Sequence, residues 1–366
     1  MLVTDQTPTS GATLALACLA AACGPIAPPA PAPGTGVTHH VVAIGDSYGS
    51  GQGAPDAKIN WFLLRFHPRW DDDKRCNRSL NAGTSQAVSI LRRDPAFAND
   101  LIKYQSFACS GASIEKGLLG PYRGTEPPSD PADLLRPQVD ALRALAQTQT
   151  IDALTITVGG NDVLFEYIVA ACILGVLDCD IIDPIVTQRL AELDGRLKRL
   201  ADALATVAIP PDRIFVAEYP DPARASATAY CDRRPRGDLL SGISGCESRW
   251  ASECVLPRLN HALCVAAQQH GWHYVGGIAA PFVDHGWCAS DNWINTISES
   301  LDGQGHYRGG VHPNVDGYRT IGGAVASSIK MKLLGSGPPP TACGPPPVAK
   351  LECVAPCGVA LPWLPP

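Results

Sequence analysis

Val41-Val42-Ala43-Ile44-Gly45-Asp46-Ser47-Tyr48-Gly49 is the stretch whose reading decides the fold. A short β-branched, apolar run ends abruptly in Gly-Asp-Ser, as expected of a central strand that delivers a side chain to a tight turn. The carboxyl end of such a strand is where an open α/β sheet places its chemistry. Gly, Asp and Ser are also ordinary turn formers, so the tetrapeptide alone distinguishes a nucleophile from a plain turn only with help from the rest of the chain.

Outward from this strand, helix-like and strand-like segments alternate. Residues 83–93, 130–147, 186–207, 249–270 and 315–334 have helical periodicity, with Leu134, Leu135, Val139, Leu142 and Leu145 on the expected buried side of the second. Residues 104–108, 151–158, 213–218 and 272–275 read as strands. This alternation implies a mostly parallel sheet with helices on both faces. Residues 50–75 carry Trp61, Phe62, Phe66 and Trp70 without clear periodicity, and read equally as a substrate lid or a packed surface excursion.

The chain has 366 residues, 45% of them apolar, enough for a large core. Its net charge of −6 and lack of basic runs argue against a nucleic-acid partner. The apolar run Thr13 to Cys23 has the form of an export signal too short to span a bilayer, atypical in that Asp5 precedes it without Lys or Arg. Leu19-Ala20-Ala21-Ala22-Cys23 resembles a lipoprotein cleavage site, which leaves open a membrane tether through Cys23 or cleavage without lipid. The expected organisation is a leader at 1–23, a Pro/Ala-rich linker at 24–37, a catalytic domain at 38–335 and a Pro/Cys-rich tail at 336–366, pinned onto the domain rather than folding alone.

Fourteen cysteines fit an oxidising, secreted or cell-envelope setting, and removal of the leader leaves an even 12. No Cys-x-x-Cys joins a matching second pair, so no metal site is expected.

Four loops carry reaction-competent residues in order: Ser47 in Gly-Asp-Ser-Tyr, Gly111 in Cys109-Ser110-Gly111-Ala112, Asn161 in Gly159-Gly160-Asn161-Asp162, and His312 in Gly310-Val311-His312-Pro313-Asn314. Together they resemble the four marks of the SGNH (GDSL) hydrolase family, from about residue 41 to 319. Finer details are similar to that family's secreted, disulfide-containing bacterial esterase and lipase branch. The resemblance implies a three-layer α/β/α, flavodoxin-like fold, and disulfides Cys76 to Cys109 and Cys172 to Cys179. It leaves the other eight cysteines unassigned.

Ester hydrolysis needs a nucleophile, a base and donors aimed at the developing oxyanion. Those roles fall to Ser47, to His312, and to the Ser47 and Gly111 N–H groups with the Asn161 amide. Many members of the family place Asp three residues before the histidine, but Gly309 stands there. The related secreted esterases include enzymes that use a backbone carbonyl in place of the acid, so the resemblance implies, as the favoured expectation, a Ser47–His312 dyad whose histidine is oriented by a main-chain carbonyl near residues 292–294. A side-chain acid from Asp284, Asp291 or Asp302 is the competing one.

The expected protein is an exported, cofactor-free, monomeric serine esterase or lipase acting on lipids or acylated small molecules and sugars. The alternatives are a carbohydrate O-acetylesterase acting on polysaccharide or the cell wall, and a non-catalytic surface-binding lipoprotein.

Overall fold

The computed structural model describes residues 36–59, 67–71, 75–126, 130–174, 179–337 and 342–344. In chain order its strands and helices are β1 (Thr38–Gly45), α1 (Ser47–Ser50), α2 (Gly83–Leu91), β2 (Leu101–Ser106), α3 (Gln138–Ala146), β3 (Ala153–Thr157), α4 (Phe165–Leu174), α5 (Asp183–Leu204), β4 (Ile214–Ala217), β5 (Arg224–Ser226), β6 (Ala229–Tyr230), α6 (Gly245–Trp250), α7 (Leu256–His270), β7 (His273–Val275), α8 (Ile297–Gln304) and α9 (Val315–Leu333). The central sheet has five strands in the order β2-β1-β3-β4-β7, all parallel, and β5 with β6 forms a small antiparallel hairpin beside it.

Alternation along the strands divides the interior into two apolar layers. Val41, Ala153, Phe215 and Ala217 face the layer built with α2 and α9. Val42, Ile44, Leu154, Ile156, Ile214 and Val216 face the layer built with α3, α5 and α7. This sandwich is the expected α/β/α arrangement; the central strands β3 and β4 and the second half of β1 are buried on both faces, whereas the edge strand β2 alternates buried and exposed residues.

Several boundaries move from the expected ones for identifiable reasons. The helix expected at 130–147 begins only at Gln138: Pro137 disfavours helical geometry at Arg136, and Leu135 instead exchanges two backbone hydrogen bonds with Tyr122, leaving Leu134 exposed. The run expected at 249–270 starts earlier, in α6, and passes through a π turn at Ala251–Val255 before α7. Pro257, in the first turn of α7, has no N–H for the carbonyl four residues back, and the wider turn absorbs the mismatch. The helices α4 and α8 went unread in the sequence, although Thr296 and Glu299 form a capping box at the start of α8.

Cys76 pairs with Cys109, as the resemblance implied; Cys231 pairs with Cys288, and Cys264 of α7 pairs with Cys343. Cys172 is also disulfide-bonded, as are Cys246 and Cys254. The Cys179 side chain lies outside the described residues, as do Cys23 with the leader, Trp61, Phe62 and Phe66 of the aromatic segment, and Cys353 and Cys357 of the tail. Trp70 is buried. No described helix is long and apolar enough to cross a membrane.

Candidate active site

The turn that carries Ser47 is built almost entirely from its own sequence. Gly45 ends β1 at φ +139°, where a Cβ would lie 2.2 Å from the Thr157 carbonyl oxygen of β3, so only glycine lets the two strand ends approach. Asp46 caps α1 by accepting the Tyr48 N–H at 3.0 Å. Ser47 is the first helical residue, and its N–H makes no hydrogen bond among the described residues, as the first turn of a helix allows.

Distant residues fix that turn in place. The Gln138 carboxamide, at the start of α3, accepts the Gly45 N–H at 2.7 Å and donates to the Gly45 carbonyl at 2.9 Å. The Tyr219 hydroxyl donates to Asp46 and accepts the Gly160 N–H at 3.2 Å, tying the Ser47 turn to the one that carries Asn161. Burial pushes the Asp46 carboxyl up to about 6, with the hydrogen bonds from Tyr219 and Tyr48 opposing the shift.

His312 meets Ser47 with its Nε2 at 2.7 Å from the Ser47 Oγ, while its Nδ1 lies 3.0 Å from the Gly310 carbonyl oxygen. A carbonyl can only accept, so Nδ1 carries the proton and Nε2 is left as an acceptor for the serine hydroxyl. Burial pushes the imidazole down to about 4, partly opposed by the Gly310 bond. The ring is therefore neutral, and ready to accept a proton, across the physiological range.

The orienting acceptor is thus a main-chain carbonyl, but not one from residues 292–294. Residues 293–295 hold the loop's backbone instead, Trp293 through its carbonyl, which accepts the Asn314 N–H at 2.8 Å. Ile294 bridges to Pro313, Asn295 N–H donates to the His312 carbonyl at 2.8 Å, and Val311 N–H donates to the Asn295 carbonyl at 2.8 Å. No carboxylate hydrogen-bonds to the His312 ring among the described residues; Asp291 pairs with His285 and Asp316 with Arg319. An acid at position 309 would have to displace its neighbours: a Cβ there would lie 2.7 Å from the Gln304 Nε2 and 2.8 Å from the Ser300 Oγ.

Val311, between Gly310 and His312, sits at φ +60°, a conformation that costs a β-branched residue about 1–3 kcal/mol. It is held there by its burial and by the Tyr48 hydroxyl, which donates to its carbonyl at 2.9 Å.

Gly111 and Asn161 line a common cleft of about 400 Å³. Gly111 has φ +77°, and a Cβ would lie 2.3 Å from the Tyr122 hydroxyl. Its loop is anchored by the Cys76 to Cys109 disulfide, by Cys109 N–H donating to the Gly45 carbonyl at 2.9 Å, and by Tyr122 and Thr125 hydroxyls donating to the Ser110 carbonyl. The Gly111 N–H has no hydrogen-bond partner among the described residues. Asn161 donates one N–H of its carboxamide to the Ala112 carbonyl at 2.9 Å, which fixes the amide and leaves its second N–H to donate elsewhere. Among the described residues, no group of three or more His, Cys, Asp or Glu side chains could hold a metal ion.

Sequence reasoning missed Gln138, Tyr219 and Tyr48 as supports, and Gly310 as the acceptor. Gly310 lies inside the motif that identified His312, but nothing in its residue type marks it; Gln138 and Tyr219 come from remote elements and carry no local signal.

A family model described as GDSL-like lipase/acylhydrolase matches residues 41–325. The fold is shared with an extracellular lipase from Streptomyces rimosus, at 19% identity, TM-score 0.54, and coverage of 79% of this chain and 99% of that one. It is shared also with a phospholipase A1 from Streptomyces albidoflavus NA297, at 20% identity, TM-score 0.51, and coverage of 79% and 98%. A search of curated proteins returned no significant match. With the family model spanning most of the sequence, this chain belongs to the GDSL-like lipase/acylhydrolase family and is an ester-hydrolysing enzyme.

Proposed function

We propose that the chain is an exported serine esterase that cleaves carboxylic esters through an acyl-enzyme on Ser47. The observation that carries this reading is the pair of contacts at His312, 2.7 Å from its Nε2 to the Ser47 Oγ and 3.0 Å from its Nδ1 to the Gly310 carbonyl. His312 takes the serine proton as Oγ bonds to the ester carbonyl carbon, then returns it to the alcohol oxygen as the carbon–oxygen bond breaks. Water, activated in the same way, releases the acid. The Ser47 N–H, the Gly111 N–H and the second Asn161 N–H are donors without another partner among the described residues, suited to the oxyanion that forms in each step. The Gly310 carbonyl performs the orienting part of a triad acid without its charge.

Export is supported by the disulfides and by the leader-like sequence of residues 1–23. A polar cleft beside Asn161, lined by Glu115, Lys116 and Arg189, favours keeping a second substrate class, the acetylated carbohydrate. The names lipase and phospholipase A1 on the two Streptomyces structures make lipid esters a further class to try.

The test is hydrolysis of p-nitrophenyl esters, a phospholipid and acetylated xylan by the purified chain and by Ser47→Ala. Ester turnover that vanishes in a folded Ser47→Ala protein, together with labelling of the parent by a fluorophosphonate, is the expected result. Turnover that survives the substitution sinks the assignment.

A further inference from the structure

Three spaces adjoin Phe165, and one of them is lined by His312. One is the cleft of about 400 Å³ beside Gly111 and Asn161; a second, of about 330 Å³, is lined by His312 and Gly310 together with Glu166, Tyr307 and Arg308. The third is a cavity of about 80 Å³ next to the residues that flank the site. Tyr48, Gly160 and Val311 line it, each a chain neighbour of Ser47, Asn161 or His312. Its polar neighbours turn their polar atoms elsewhere: the Ser248 hydroxyl donates to the Cys231 carbonyl, Glu247 accepts from Ser244, and the Tyr219 hydroxyl is engaged with Asp46. The cavity thus presents carbon. A buried apolar space of that kind stays dry and takes apolar ligands; a volume of about 150 Å³ holds benzene, so this one holds about three carbons.

Phe165 is the one described residue that lines all three spaces. Its ring stands 6.0 Å from that of His312 and 6.3 Å from that of Tyr48, edge to face with both. It begins α4 directly after Leu164, whose φ of +72° is an unusual backbone conformation for leucine.

The chemistry of acyl transfer assigns the two limbs of the ester. The alcohol must leave past His312, which supplies its proton, and so departs through the open cleft with Glu166, Tyr307 and Arg308. The acyl group stays on Ser47, and its tail has to go elsewhere. We infer that the apolar cavity is the tail end of the acyl site and that Phe165 is its gate, so that the preferred substrate is an ester of a short- to medium-chain fatty acid with a polar alcohol. This rests on the proposed role of Ser47, and it makes Phe165 a specificity-determining residue.

The experiment compares kcat/KM for p-nitrophenyl acetate, hexanoate and octanoate in the parent, Ala251→Leu and Phe165→Ala. Ala251 lines the cavity and is partly buried, and leucine there adds three carbons to the space. The expected result is a hexanoate-to-acetate ratio lowered about tenfold by Ala251→Leu and an octanoate-to-acetate ratio raised about tenfold by Phe165→Ala, in the range that one or two methylenes produce in an apolar pocket. Phe165→Leu replaces the alanine variant if circular dichroism shows the latter unfolded. Chain-length ratios equal to the parent's in either folded variant overturn the inference while leaving Ser47 chemistry intact. A parent inactive on every ester, or activity that survives Ser47→Ala, overturns the functional reading and the inference with it.

Discussion

Ser47 and His312 meet at 2.7 Å but reach that point by opposite routes. The serine stands on a turn that its neighbours in sequence build: a glycine that alone can approach Thr157, an aspartate that caps, and a strand buried on both faces. The histidine stands on a loop that its neighbours strain, with Val311 at positive φ, and that remote residues hold, through Asn295, Tyr48 and Ser300. A turn whose shape is set by its own sequence is legible, even though Gln138 and Tyr219 also brace it from afar. A loop held by long-range bonds can dispense with the usual acid, because its own backbone carbonyl is brought against the imidazole.

That contrast is broken most directly at the histidine. His312→Ala should lower kcat by about 10⁴-fold or more, whereas Asn replacing Asp284, Asp291, Asp302 or Asp316 singly should cost less than about tenfold. Steady-state rates on one chromogenic ester decide it. A 10⁴-fold loss at any one of these carboxylates, in a protein with an unchanged melting temperature, would show that an acid orients the ring after all. Asn161→Ala comes next, with an expected loss of about 10²- to 10³-fold in kcat and little change in KM. A rise in KM at constant kcat would assign Asn161 to substrate binding instead.

A smaller effect sharpens the same contrast from the other side. Installing the family's acid by Gly309→Asp should give no gain in rate and should destabilise the fold by about 1–3 kcal/mol, because the new Cβ collides with Gln304 and Ser300. Denaturant unfolding measures this, and a faster enzyme of normal stability would mean that the loop can be repacked around a triad.

The same difference explains what could be read in advance. The sheet, the Ser47 turn and the order of the four motifs were legible because apolar runs, glycines and the capping aspartate act on their own neighbourhood. Gly111 and Asn161 were legible as motif positions, and the structure places both on one cleft. The Gly310 acceptor was not, since any residue has a carbonyl, and its direction is set by a backbone bent through bonds to Tyr48, Asn295 and Ser300, outside the motif. Helix α4 was missed for a related reason. Its sequence is apolar on nearly every side, with Tyr167 and Leu174 exposed, so no polar face marks it as a surface helix.

The last test uses the opposite titrations of the two buried groups that flank Ser47. Burial lowers His312 to about 4 and raises Asp46 to about 6. For activity, the base must be neutral, so kcat/KM should hold its plateau down to about pH 4 and fall tenfold per unit below that, rather than breaking near 6.5 as a solvated histidine would. For stability the signs oppose. A histidine whose folded value lies below its unfolded one contributes stability above about 6.5 that is lost as pH falls toward 4. A carboxyl whose folded value lies above its unfolded one contributes stability below about 3.8 that is lost as pH rises toward 6. Between about pH 4 and 6 the two slopes, each at most about 1.4 kcal/mol per pH unit, offset each other in the parent. Asp46→Asn should therefore lose stability on acidification through that window, and His312→Ala should gain it, as followed by denaturant midpoints at half-unit pH steps. Identical slopes in the two variants would show that neither group is as desolvated as its place beside Ser47 requires.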